Sequence, residues 1–414
     1  MTGSVTASRT ALAFIFVTML VDTIGLGIII PVTPAIIKQL TGQALSGAAG
    51  WGGWLMFVYA LMQFLCAPAI GNLSDRFGRR PVLILSLVAL SFDYAVTGLA
   101  PTIAWLFVGR FLSGVAGGAY PTVNAYIADV SPPEKRAANF GLTGAAFGIG
   151  FVLGPAIGGV IGDHWGARAP FFVAAAIALA NALFGLLVLR ESLPLERRRR
   201  FELWRANPLG ALRSIGRFPS MYGLIVVGVL LMLAHDALPA TWAYYTMLRY
   251  HWTPAEVGYS LMAVGIFTAV SFGVLPRFVV PRIGEVRAVF AGFLFATLGY
   301  AGYAFSSAPW MIYAWMAVWS LGGMAGPALN AIMSRAVPAN QQGELMGARA
   351  STDSITSIVA PLLMTGLFKY FTAGDAPLYF AGASFLAAAL FEFAALLLFA
   401  GMQPRLAAVR QPAE

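Results

Sequence analysis

Twelve stretches of roughly 20 or more mostly apolar residues recur along this chain, and nearly all of its charge falls in the short segments between them. A helix of about 20 apolar residues crosses a hydrocarbon core of roughly 30 Å. In that medium the backbone must satisfy its own hydrogen bonds, which leaves helices and closed barrels. Strand-like alternation is absent, so the expected fold class is an all-α membrane protein with 12 transmembrane helices. The spans are expected at 11–37, 52–71, 81–100, 103–128, 140–162, 169–190, 219–247, 255–276, 287–306, 309–333, 345–370 and 376–402. Only 10% of the residues are charged, against about 25% in a soluble domain.

The net charge of +9 invites a nucleic-acid reading, but the cations lie between spans and form no basic domain. Arg9, Arg76, Arg79, Arg80, Lys135, Arg136, Arg190, the RRRR of 197–200, Arg205, Arg213, Arg217, Arg277, Arg282, Arg287, Arg335, Arg405 and Arg410 fall in alternate segments. The other segments hold little beyond Lys38, Arg168, Arg249 and Lys369. The positive-inside rule makes the first set cytoplasmic, with both termini on that side. The longest segment, 191–218, divides the spans six and six, giving bundles at 1–190 and 219–414 around a cytoplasmic linker. Phe201, Leu203, Trp204, Leu209, Leu212 and Ile215, interleaved with arginines, fit either a short helix on an anionic leaflet or a plain topogenic charge cluster. Cys66 is the one cysteine, which excludes an intramolecular disulfide.

An internal repeat organises the chain. A shift of 206 positions aligns Pro121, Asn124, Ala125, Pro132 and Gly141 with Pro327, Asn330, Ala331, Pro338 and Gly347 without a gap. The same shift aligns Arg76 and Gly78 with Arg282 and Gly284, and Pro155 with Pro361. Two pseudo-symmetric six-helix halves of like orientation describe a transporter whose halves alternate access to a midplane site.

Polar groups inside the spans are the functional candidates, because a carboxylate at the bilayer centre costs roughly 2.5–3.5 kcal/mol on insertion scales. Asp22 lies about ten residues into span 1, or roughly 15 Å at 1.5 Å per residue, with Gly25, Gly27, Pro31 and Pro34 after it. Asp93 in span 3 is similarly deep and fits either proton coupling or a structural bond to a neighbouring helix. Span 7 carries His235 and Asp236 ahead of Pro239, Trp242, Tyr244 and Tyr245. The acid and the histidine are proton acceptors, and the aromatics fit a drug pocket or an interfacial belt. Asn124, Asn330 and Asp353 join Asp22, Asp236, Trp242 and Tyr245 as substrate-binding candidates. Glu392 in span 12 fits a further site or a packed helix contact. No spacing suggests a metal site, a phosphate-cradling loop or a nucleophile with its base, so neither a cofactor nor an enzyme activity is expected, and energy must come from an ion gradient.

Three stretches carry a family resemblance. GNLSDRFGRRPVL, read as the loop after span 2, resembles the major facilitator superfamily signature through Gly71, Leu73, Asp75, Arg76, Gly78, Arg79 and Arg80. The resemblance implies a conformational latch, with Asp75 against the other half and Arg79 near Asp129. In span 4, Arg110 and Gly114 are similar to a second motif of the superfamily's drug and proton antiporters, in which the arginine tunes the proton affinity of a nearby acid. In span 5, Gly141, Gly150, Gly154, Pro155, Gly158 and Gly159 resemble the antiporter motif. Over nearly its whole length the chain looks like the tetracycline-resistance-like exporters, which keep intramembrane acids where Asp22 and Asp93 stand.

Ala296 and Thr268 replace the acid and the histidine that those exporters carry in spans 9 and 8, so the resemblance stops short of naming tetracycline as substrate. It implies a monomeric, proton-coupled exporter of amphiphilic small molecules in the cytoplasmic membrane of a bacterium, in contact with protons and membrane lipids but not nucleic acid. A proton symporter for a small nutrient, or a lipid flippase or sensor on a transporter fold, are the alternatives.

Overall fold

The structure is a computed structural model, and it describes residues 9–202, 221–338 and 341–409. Most of the linker, including the proposed surface helix from Leu203 onward, lies outside the described residues, as do Arg205 and Arg410. Among the described residues eleven helices are long and apolar enough to cross a membrane: Leu12–Thr41, Leu45–Phe77, Arg79–Leu99, Ile103–Val130, Pro133–Trp165, Ala169–Val188, Tyr222–Tyr250, Pro254–Ile283, Glu285–Phe305, Gln342–Thr372 and Ala383–Met402. These are spans 1 to 9, 11 and 12. Span 10 is helical over Pro309–Ser320, tightens to a 3-10 turn at Leu321–Met324 and resumes as Ala325–Arg335. Its tryptophans and glycines make it less apolar than its neighbours.

Two boundaries differ from expectation for physical reasons. Span 2 runs from Leu45 to Phe77, so the latch sequence is the end of one helix and the start of the next, not a loop. Gly78 alone separates them, at φ 102°. Span 12 begins at Ala383 and not at 376, because Pro377 and Gly382 favour turns and Phe380 N–H instead donates to Phe371 O at 2.9 Å.

The 206-residue repeat reaches the backbone. Arg79–Leu99 and Glu285–Phe305 match at both ends, the Arg136 and Gln342 helices start in register, and each contains its proline, Pro155 or Pro361. Gly78 N–H donates to Ser74 O at 3.1 Å and Gly284 N–H to Val280 O at 2.9 Å. Both glycines are at positive φ with extended ψ, 102° and 161° against 81° and 154°, a region essentially reserved for glycine.

By their contacts the residues form two compact units. The first comprises Met1–Ala44, Leu55–Pro208 and Trp252–Gly265; the second comprises Leu45–Trp54, Leu209–His251 and Ile266–Glu414. In the first, Phe14, Ile15, Met19, Leu83, Tyr126 and Ile127 form a buried core. In the second, Leu224, Val289, Phe293, Leu329, Met333 and Phe399 do so.

Candidate functional site

In the first unit the antiporter glycines fix span 1. A Cβ added to Gly150 would lie 2.7 Å from Thr23 Cβ and 3.0 Å from Leu20 O. One on Gly154 would lie 2.8 Å from Ile24 O, and one on Gly158 would overlap the backbone of Ile28. Small residues at these positions let two helix backbones touch, and the seam runs past the turn that carries Asp22. Gly159 serves another neighbour, the backbone at Pro254 and Ala255, while Gly141 faces open space. The motif is therefore two packing faces and one glycine with no close contact.

Asp22 itself is half-buried, and no hydrogen bond or ion pair joins it to another described residue. Tyr94 packs on the same helix one turn away, its ring 3.3 Å from where a Cβ on Gly25 would stand. Tyr59 and Tyr94 both lie in the combined field of Asp22, Asp93 and Arg110, so these five residues form one polar neighbourhood. Within it Asp93 is fully buried and compensated. Arg110 Nη2 donates to its Oδ2 at 3.0 Å, and Thr97 Oγ1 donates to its Oδ1 at 3.3 Å. Gly109 leaves the space this pair needs, since a Cβ there would strike Asp93 Oδ1 and Thr97 Oγ1. Gly114 instead seats span 4 on span 2, where a Cβ would meet Met62 Cβ at 2.7 Å.

At the junction of spans 2 and 3, Arg79 Nη1 pairs with Asp75 Oδ1 at 2.5 Å and donates to Ser74 Oγ at 2.6 Å. Its Nε reaches Asp129 Oδ2 at 3.4 Å, as the resemblance implies. The Asp75 carboxylate is thus engaged by Arg79 of its own unit. Arg76 lies over the Phe77 ring at 5.0 Å, and Arg80 Nη2 donates to Leu186 O at 2.7 Å. Gly71 has open space. Glu191 completes the junction by accepting from the backbone N–H groups of Arg79 and Arg80 at 2.8 and 3.3 Å, a carboxylate on a helix N-terminus.

The second unit holds a different arrangement. Asp236 interrupts span 7 between the helices Tyr222–His235 and Ala237–Tyr250. The Oδ2 of its carboxylate is buried without a hydrogen-bond partner among the described residues. Asp353 pairs with Arg349 one turn earlier, Nε to Oδ2 at 3.6 Å, while its Oδ1 is likewise orphaned. His235 has an exposed side chain. Asn124 and Asn330 are half-buried, and Asn330 Oδ1 has no partner among the described residues.

Trp242 and Tyr245, expected to line a substrate pocket, are fully buried in an aromatic core. Trp242 meets Tyr303 and Phe385 edge-on at 5.2 and 5.8 Å, and Tyr245 donates to Tyr303 O at 2.6 Å. They face packed side chains, not an opening. A cavity of about 850 Å³ does exist in this unit, lined by Gly284, Arg287, Pro327 and Arg335 among others, but none of Asp236, Asp353 or Glu392 borders it.

Arg349, Glu191, Tyr59 and Tyr94 are missing from the sequence reading. Arg349 carried a signal, its spacing of four from Asp353, which on a helix makes an ion pair. Glu191 carried none, because its partners lie 112 and 111 positions away.

Comparison with known proteins follows the same lines. The family described as Major Facilitator Superfamily matches residues 15–361. The tetracycline resistance protein, class C, of Escherichia coli is 37% identical over 361 residues, covering 87% of this chain and 90% of that one. The class B protein of Escherichia coli is 32% identical over 351 residues, covering 85% and 86%. A bacterial homolog to the human lysosomal transporter Spinster, solved in an inward-facing and occupied conformation, superposes with a TM-score of 0.75 at 18% identity, covering 97% of this chain and 98% of that one. At that identity the likeness speaks for the fold alone.

Proposed function

This chain belongs to the major facilitator superfamily of membrane transporters, and from that premise we propose that it exports amphiphilic small molecules in exchange for protons. It works as a monomer in the cytoplasmic membrane of a bacterium. Its bundles, 1–190 and 219–414, alternate access to the site across the linker 191–218, and the 71–80 junction with Asp129 acts as the latch.

The observation that carries this reading is Asp22, a carboxylate deep in span 1 with no partner among the described residues, beside a pair that is already balanced. An unpaired intramembrane carboxylate costs roughly 2.5–3.5 kcal/mol, which a proton or a cationic substrate removes. The two therefore compete for one acid, and competition of that kind is exchange. Asp93 and Arg110 supply a fixed charge pair that sets the field in which Asp22 gains and loses its proton. Similarity to tetracycline resistance proteins supports a drug-like substrate.

The test uses inside-out vesicles with an imposed pH gradient, screened with cationic fluorescent dyes and tetracyclines. Gradient-driven uptake of at least one compound is expected. Uptake driven only when substrate and protons move in the same direction would replace exchange with symport.

A further inference from the structure

We propose that Glu392 in span 12 is a proton-exchanging carboxyl of the second unit, separate from Asp22 and Asp93. The buried face of span 12 runs Phe385, Ala388, Ala389, Glu392, Ala395 and Phe399, each at most 4% exposed. This is a helix seam of spacing three and four with a carboxyl at its centre. Alanines above and below leave it room. At 2% exposure its Oε2 has no hydrogen-bond partner, and no ion pair joins Glu392 to another described residue.

A seam that needed only packing would carry an apolar residue, since replacing buried charges by apolar groups is often neutral or stabilising. The acid must instead be met by a proton. The titratable groups around it lie on neighbouring spans. From span 9, Tyr300 lies in the field of Glu392; from span 7, Asp236 acts on the same tyrosine. On span 11, Asp353 and Arg349 are paired to each other.

Tyr300 packs edge-on against Trp319, ring centroids 6.0 Å apart. On alkaline titration the Glu392 O–H bond breaks, hydroxide takes the proton to form water, and the carboxylate remains.

Use of this site in transport rests on the proton-coupled reading, but the site can be tested without substrate. Infrared spectra of the full chain in lipid bilayers are recorded through a pH titration for wild type, Glu392→Gln and Glu392→Asp. The expected result is a carboxylic-acid carbonyl band that Gln removes, Asp shifts and alkali bleaches. A wild-type spectrum lacking any band that the two variants alter, or a band indifferent to pH, overturns the proposal; the Asp variant and the wild-type titration decide even if the Gln variant fails to fold. Because no transport is measured, loss of the exporter reading would leave this result standing, and the reverse.

Discussion

In the first unit, Asp93 has a guanidinium at 3.0 Å and a threonine hydroxyl at 3.3 Å. In the second, Asp236, Asp353 and Glu392 each keep a buried oxygen without a partner. The 206-residue repeat preserved the helices, the prolines and the positive-φ glycines, but not the chemistry they carry. Asp93 falls opposite Gly299 and Arg110 opposite Met316, while Glu392 answers Leu186. The latch shows the same rule with its sign reversed. Arg79 pairs with Asp129, and 206 positions later Glu285 pairs with Arg335. Packing constrains where a helix begins and bends. Charge requires only that a partner or a proton be present, so it diverges freely between the halves.

The largest effect should come from breaking the compensated pair. Arg110→Ala leaves Asp93 buried and unbalanced, at a cost of roughly 3–5 kcal/mol. Thermal unfolding in detergent should show a steep loss, partly recovered when Asp93→Asn is added. The matching change in the other unit, Arg349→Gln, should cost only about 1 kcal/mol, because Asp353 is partly solvated and the pair is looser. Equal losses would erase the distinction between the units.

Packing comes next. Gly158→Val drives a side chain into the Ile28 backbone and should destabilise by roughly 1–3 kcal/mol. Gly141→Ala, facing open space, should be neutral or gain up to about 1 kcal/mol from helix propensity. Gly78→Ala and Gly284→Ala share a backbone penalty of roughly 1–3 kcal/mol. Gly78 should suffer more, because its Cβ would also strike Glu191. The smallest effect is expected from reversing the latch pair, Arg79→Glu with Asp129→Arg, which copies the orientation seen at Glu285 and Arg335. Each single change should lower stability, and the double change should return most of it, as a double-mutant cycle would record.

The spans, the repeat and the Arg79 to Asp129 pairing were legible because they follow from hydropathy period, fixed spacing and a family signature. The sequence leaves Trp242 and Tyr245 open between a pocket and an interfacial belt, and their burial in a core depends on which helix packs opposite. Arg349 left one signal, its spacing of one helical turn from Asp353. Glu191 could not be found from neighbours in sequence, since helix capping across more than 100 residues is decided only once the chain has folded. Glu392 read equally well as packing, and only its missing partner separates the two.

The central claim concerns Asp22, and one measurement addresses it directly. Vesicles bearing wild type or Asp22→Asn are compared for substrate exchange without a gradient and for accumulation driven by a pH gradient. The account predicts that the variant retains exchange and loses accumulation. Accumulation at the wild-type rate in Asp22→Asn would contradict it.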